Sequence, residues 1–150
     1  MVLKDRINND LKAALIGGNH FVCEVLRGLK AVILNEEVSQ NKREEGLGDS
    51  IIEQLIVREV KKRNDSAVIY DNANRPELAS DERAEMQILV KYLPKQLSEN
   101  EIKLVVIRVI KDLSATNMSA MGQVIGAIKK ELGNTADGSV IAKLVKDLLS

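Results

Sequence analysis

Catalysis in this chain would have to begin from very few groups. His20, the single histidine, follows Gly17-Gly18-Asn19 and stands three residues before Cys23, the single cysteine. A Cys/His dyad would use the thiol as nucleophile and the imidazole as base. A helix-start histidine and a small core thiol account for the same two residues without any chemistry. A metal centre needs three or four convergent donors, and one histidine with one cysteine do not supply them. The carboxylates come as Glu36-Glu37, Glu44-Glu45 and Asp81-Glu82 with Glu85, interspersed with Lys or Arg in the manner of a solvated helix face. Gly46-Leu47-Gly48 is too short for a nucleotide-binding glycine loop, and no strand pattern precedes it. No catalytic residue, cofactor or metal is assigned on these residues.

Two constellations point instead to the binding of a polyanion. Lys61-Lys62-Arg63, with Arg58 one turn earlier, forms a basic cluster suited to phosphates or an acidic partner; paired with Glu59 and Asp65, it also reads as an ordinary charged face. The second runs from Met121 through Gly122, Gly126, Lys129 and Lys130 to Gly133 and Ala136-Asp137-Gly138. Each glycine inside a helix costs about 1 kcal/mol relative to alanine, so something is expected to approach that face closely. A neighbouring helix backbone would do so, as would a nucleic-acid backbone drawn in by Lys129 and Lys130. Lys143 and Lys146, farther on, add to the same positive charge.

The elements that must carry these residues are helices, because apolar residues recur at spacings of three and four. Val2, Leu3, Ile7, Leu11 and Leu15 make a first stripe, and Phe21 or Val22, with Val25, Leu26, Leu29, Val32 and Ile33, a second. The polar stretch from Ser39 to Asp49 reads as an exposed loop and the most mobile segment. Asp49 or Ser50 is expected to cap a third helix with Ile51, Ile52, Leu55, Ile56 and Val60 inward. Its second half keeps only a narrow stripe of Ala67, Val68, Ile69 and Tyr70, as in a helix that outruns the core or pairs with one neighbour. Pro76 suits the first position of a fourth helix bearing Leu78, Met86, Leu89, Val90 and Leu93, which Pro94 stops. Ser98 with Glu101 forms a capping box for a fifth helix carrying Ile102, Val105, Val106, Val109 and Ile110. A sixth starts at Asn117 or Ser119 and closes at Gly133 in the left-handed conformation. Asp137 caps a seventh with Ile141, Leu144, Val145 and Leu148 inward. The predicted fold is all-α, with an N-terminal four-helix portion over residues 1–93 and a small C-terminal three-helix portion over residues 94–150.

Composition agrees with that class. Leu, Ile and Val supply 47 of 150 residues, ample for a packed core. The only aromatics are Phe21, Tyr70 and Tyr92, too few for the stacking platforms that read single-stranded nucleic acid. With 22 basic and 22 acidic residues the chain has no global field. Residues 1–93 hold 14 basic and 16 acidic side chains, and residues 94–150 hold 8 and 6, a small positive bias towards the end. One cysteine cannot form an internal disulfide, Met1-Val2-Leu3 passes at once into Lys4-Asp5-Arg6, and no apolar run reaches membrane-spanning length. A soluble cytoplasmic protein with no membrane association is expected.

Tyr92-Leu93-Pro94-Lys95-Gln96-Leu97-Ser98 with Glu101, Met121-Gly122-Gln123-Val124-Ile125-Gly126, and Gly133 with Ala136-Asp137-Gly138 together resemble the YqeY family. Ile7 to Ala14, Lys61 to Ser66, and Arg75 through Leu78 extend the likeness over essentially the whole chain, with a departure at Gly17-Gly18-Asn19-His20. Members of that family are similar to the C-terminal tail region of GatB, a subunit of the tRNA-dependent amidotransferase. The resemblance implies a two-part helical fold and a tRNA-contacting module, while the amidotransferase's carbon-nitrogen ligase chemistry resides in parts that nothing here matches. The expectation is a non-catalytic helper binding tRNA or other structured RNA. Lys129, Lys130, Lys143 and Lys146 would hold phosphates, Gly122 and Gly126 would allow close approach, and Lys61, Lys62 and Arg63 form a second patch. The alternatives are a protein-interaction adaptor and an accessory component of a glutamine-dependent amidotransferase, docking on a translation or amidotransferase-related protein.

Overall fold

The computed structural model describes residues 2–150, and every regular element in them is helical. The chain folds as two units, Met1–Leu93 and Pro94–Ser150.

The first unit contains α1 (Val2–Ile16), α2 (His20–Ser39), α3 (Asp49–Asn72) and α4 (Pro76–Val90). Asn19 caps α2 by accepting from the Val22 amide at 3.2 Å, which completes a tight α1–α2 hairpin. Ile7, Leu26, Leu29, Ile52, Ile56 and Leu89 are sealed from solvent at the centre. The inward face of α1 is Leu3, Ile7, Leu11 and Ala14, whereas Val2 and Leu15 are exposed because each lies a full residue step, about 100°, off that line. The segment between α2 and α3 is polar as expected, but it is not wholly exposed: Leu47 is 1% accessible and plugs the core. Gly48, rather than Asp49 or Ser50, stands at the N-cap of α3. The Asp49 carboxylate instead accepts from the Leu3 amide at 3.1 Å, satisfying one of the open donors in the first turn of α1.

The polar half of α3 is covered by α4. Ala67 on α3 and Ala79 on α4 are fully buried, and the Arg63–Glu85 and Arg83–Asp71 ion pairs join the two helices. Val68, Ile69 and Leu78, expected to face inward, are exposed, since they stand one or two residue steps of about 100° around their helices from the buried Ala67 and Ala79. Pro76 holds the first position of α4 as predicted. Beyond α4, Tyr92 folds back on α1. Its hydroxyl donates to Asp10 Oδ2 at 2.5 Å, and the Arg6 guanidinium lies 4.8 Å above its ring and donates to the Lys91 carbonyl at 3.0 Å.

The second unit contains α5 (Glu99–Asp112), α6 (Met121–Leu132) and α7 (Gly138–Leu149), with 3₁₀ turns at Met118–Ala120 and Gly133–Thr135. Ser98 Oγ accepts from the Glu101 amide at 3.2 Å, the hydroxyl half of the capping box. Asn117 caps the 3₁₀ turn that feeds α6, and Asp137 caps α7 by accepting from the Ser139 amide at 2.8 Å. Ile102, Val106, Val109, Val124, Ile128, Ile141, Leu144 and Val145 fill this smaller core. Leu149 closes it in place of the expected Leu148, which is exposed, since Leu149 stands one helical turn beyond Val145. Gly133 has positive φ as predicted, but at φ 56° and ψ −129° it lies beyond the left-handed helical region, in backbone space that favours glycine. The Leu97 amide donates to the Thr135 carbonyl at 2.8 Å, pinning the lead-in to α5 against the turn after α6.

Candidate nucleic-acid interface

Val124 and Ile128 turn α6 inward, so residues on the far side of the helix face solvent. At about 100° per residue, Gly122, Gly126 and Lys129 fall within roughly 60° of one another, with Lys130 about 80° from Gly122. Gly122 and Gly126 are both exposed, and a methyl group built on either would meet nothing within 4 Å. A neighbouring helix backbone, the plainer explanation for the pair, is therefore absent among the described residues. This face is a shallow, side-chain-poor trough whose helix-propensity cost no internal packing offsets.

The charges around the trough are arranged by two contacts. Arg108 on α5 is ion-paired with Glu131, and this pairing raises the arginine pKa through the hydrogen bond and the carboxylate charge. The acid adjacent to Lys130 is thereby occupied. The end of the Lys129 side chain lies across the start of α7, with Cε 3.4 Å and Nζ 3.6 Å from the position a Cβ on Gly138 would take. Its ammonium thus joins the partial positive charge of the helix N-terminus. Asp137 opposes it with one carboxylate, whose Oδ1 is shared between the Ser139 amide and hydroxyl at 2.8 and 2.7 Å.

The remaining basic residues are less convergent. Lys143 and Lys146 are exposed on α7, about 140° and 80° around that helix from Gly138. In the first unit Lys61 and Lys62 are exposed, with Lys62 3.5 Å from Glu59. Arg63 is half-buried and committed to two carboxylates, Glu59 at 3.1 Å and Glu85 at 2.9 Å, so it serves the α3–α4 seam. Glu82 beside this seam has its pKa raised, first by burial and then by Glu85. His20 is exposed at the start of α2 while Cys23 is buried, so the thiol acts as core filler. No group of three or more potential metal-ligating side chains converges among the described residues. No described helix is long and apolar enough to cross a membrane.

Reading the sequence missed the Arg108–Glu131 pair and the Lys129–Gly138 contact. The only signal for the first was an isolated arginine on the outer face of a predicted helix.

A family model described as Yqey-like protein matches residues 4–149. The chain is 26% identical over 153 residues to a protein of Pyrenophora tritici-repentis named altered inheritance of mitochondria protein 41, mitochondrial, covering 99% of this chain and 81% of that one. A protein of the same name from Clavispora lusitaniae is 27% identical over 144 residues, covering 93% of this chain and 82% of its own length.

Proposed function

This chain belongs to the YqeY-like family, and from that premise we propose that it is a non-catalytic helper that binds structured RNA, tRNA first, through shape and phosphate contacts. The observation that carries this reading is the open Gly122–Gly126 trough edged by Lys129 and Lys130, with the neighbouring Glu131 occupied by Arg108. Sugar-phosphate backbone can lie against helix backbone where side chains are missing, and two ammonium groups at its end hold the phosphates. Lys143, Lys146 and the Lys61–Lys62 pair extend the field. The zero formal charge of the chain makes this a weak binder, working beside a second protein. A cytoplasmic location is part of the same proposal, while both relatives carry the word mitochondrial in their names.

The test is a titration of labelled tRNA with wild type and K129E/K130E at two salt concentrations. The wild type should bind with salt-dependent affinity, and the variant should bind more weakly with a log–log salt slope smaller by about two. Equal affinities, or binding indifferent to salt, would remove the reading.

A second reading is an adaptor that docks a partner protein, as in an accessory role to a glutamine-dependent amidotransferase. It is favoured by the apolar residues left open on α5, Leu104 and Ile107, and on the far half of α3, Val68 and Ile69. A translation or amidotransferase-related protein that stays bound after nuclease treatment, while purified tRNA fails to bind, would favour it. In the accessory role, loss of the chain should lower the level of amidated tRNA.

A further inference from the structure

A cavity of about 370 Å³ opens in the first unit along the α1–α2 hairpin, at the lower end of the range for small-molecule sites. Leu34, 42% exposed, and Ala31 give it an open apolar wall, while Ile7 and Ile33 close its floor from within the core. Its rim is cationic. Lys4 is neutralised by the buried Glu37, to which its ammonium donates twice, at 2.9 and 3.1 Å. Lys30 and Arg43 also line the cavity and make no hydrogen bond or ion pair among the described residues. Glu44 and Glu45 follow Arg43 on the loop but do not line this cavity.

Asn8 adds a second, independent observation. It lines the same cavity, and its Oδ1 is the one buried side-chain oxygen or nitrogen without a hydrogen-bond partner among the described residues. Buried polar atoms are nearly always satisfied, so an orphan beside a cavity points to a missing donor. Two cations without a carboxylate, an acceptor without a donor and a branched aliphatic wall converge on one ligand chemistry.

We propose that this cavity binds a small organic anion that carries a hydroxyl or amide donor and a short branched apolar tail. The anionic group sits between Lys30 and Arg43, the tail lies on Leu34 and Ala31, and the donor satisfies Asn8 after a small rotation of its side chain. The site is separate from the lysine–glycine trough of the second unit and does not depend on RNA binding.

Three probes separate the contributions in an NMR titration of the full chain: 2-hydroxyisocaproate, 4-methylpentanoate, which lacks the hydroxyl, and inorganic phosphate, which lacks the tail. Saturable shifts confined to α1, α2 and the loop between α2 and α3 are expected with 2-hydroxyisocaproate at millimolar concentration. 4-Methylpentanoate should bind several-fold more weakly and phosphate about tenfold more weakly. K30E/R43E should weaken 2-hydroxyisocaproate by about tenfold or more. N8A should abolish the preference for the hydroxylated probe without lowering Tm, because it deletes an unsatisfied acceptor. The proposal falls if no probe gives saturable shifts, if phosphate binds as well as the organic anions, if K30E/R43E binds unchanged, or if N8A lowers Tm and keeps the preference. None of these outcomes bears on the tRNA titration, which reads Lys129 and Lys130.

Discussion

Arg108 on α5 holds the carboxylate of Glu131 on α6, and that single pairing sets the sign of the charge at the end of the glycine trough. Lys129 and Lys130 precede Glu131 directly, and an unoccupied carboxylate there would cancel half of what they offer a phosphate. R108A should therefore weaken tRNA binding several-fold while leaving Tm almost unchanged, since the pair is solvent-exposed. R108A/E131A should restore the affinity. Failure of the double variant to recover would mean that Arg108 itself touches RNA; fluorescence anisotropy at low salt distinguishes the outcomes.

The exposed glycines give an opposite prediction for stability and binding. G126A should raise stability by up to about 1 kcal/mol, because alanine is the better helix former and its methyl would meet nothing within 4 Å. G122A should gain less, since it lies in the first turn of α6. Both should weaken tRNA binding if the trough receives the nucleic-acid backbone. Urea unfolding and tRNA titration on the same samples check the pair of effects.

In the first unit the Lys4–Glu37 contact is a stability determinant. Glu37 is 2% exposed and depends on the Lys4 ammonium at 2.9 Å. K4M should cost about 2 kcal/mol, reduced from the value for a fully buried pair because Lys4 is partly solvated. E37L in the K4M background should recover most of that loss. Chemical denaturation of the three variants measures it.

Tyr92 supplies a pH dependence. Burial first, and then the hydrogen bond to Asp10, push its phenol well above the ordinary value of about 10. The folded chain therefore holds this proton more tightly than the unfolded chain does. The resulting stability is fully present below pH 10 and drains away as pH rises above that value towards the folded pKa. Y92F should lower stability by about 1–2 kcal/mol at neutral pH and flatten the alkaline decline. Tyrosinate absorbance, followed alongside helical circular dichroism, should show Tyr92 ionising together with loss of helix.

The helices were legible because each inward stripe repeats a local rule several times over. Ile52, Leu55 and Ile56, or Ile102, Val106 and Val109, declare a helical period without reference to any partner. The misplacements came at the edges of these stripes: Val2 and Leu15 stood one residue step off the inward line of α1. On α3 the buried position against α4 went to Ala67 rather than to Val68 or Ile69, and Leu148 yielded to Leu149 at the last turn of α7. The glycine–lysine face could be read from spacing alone, since it lies on one helix. Its electrostatics could not, because Glu131 is answered from 23 residues away. The cavity was invisible for the same reason: Lys4, Ile7 and Asn8 are ordinary helix residues until the hairpin sets them opposite Lys30, Ile33 and Glu37.

The bond from the Leu3 amide to Asp49 has a consequence for synthesis on the ribosome. Helix α1 leaves the exit tunnel ahead of its partners: the carboxylate that finishes its leading end arrives 46 residues later, and the phenol that grips Asp10 arrives 82 residues later. Helix α1 thus emerges before either group that secures it, and a nascent chain halted in the loop before Asp49 should expose it frayed and protease-sensitive.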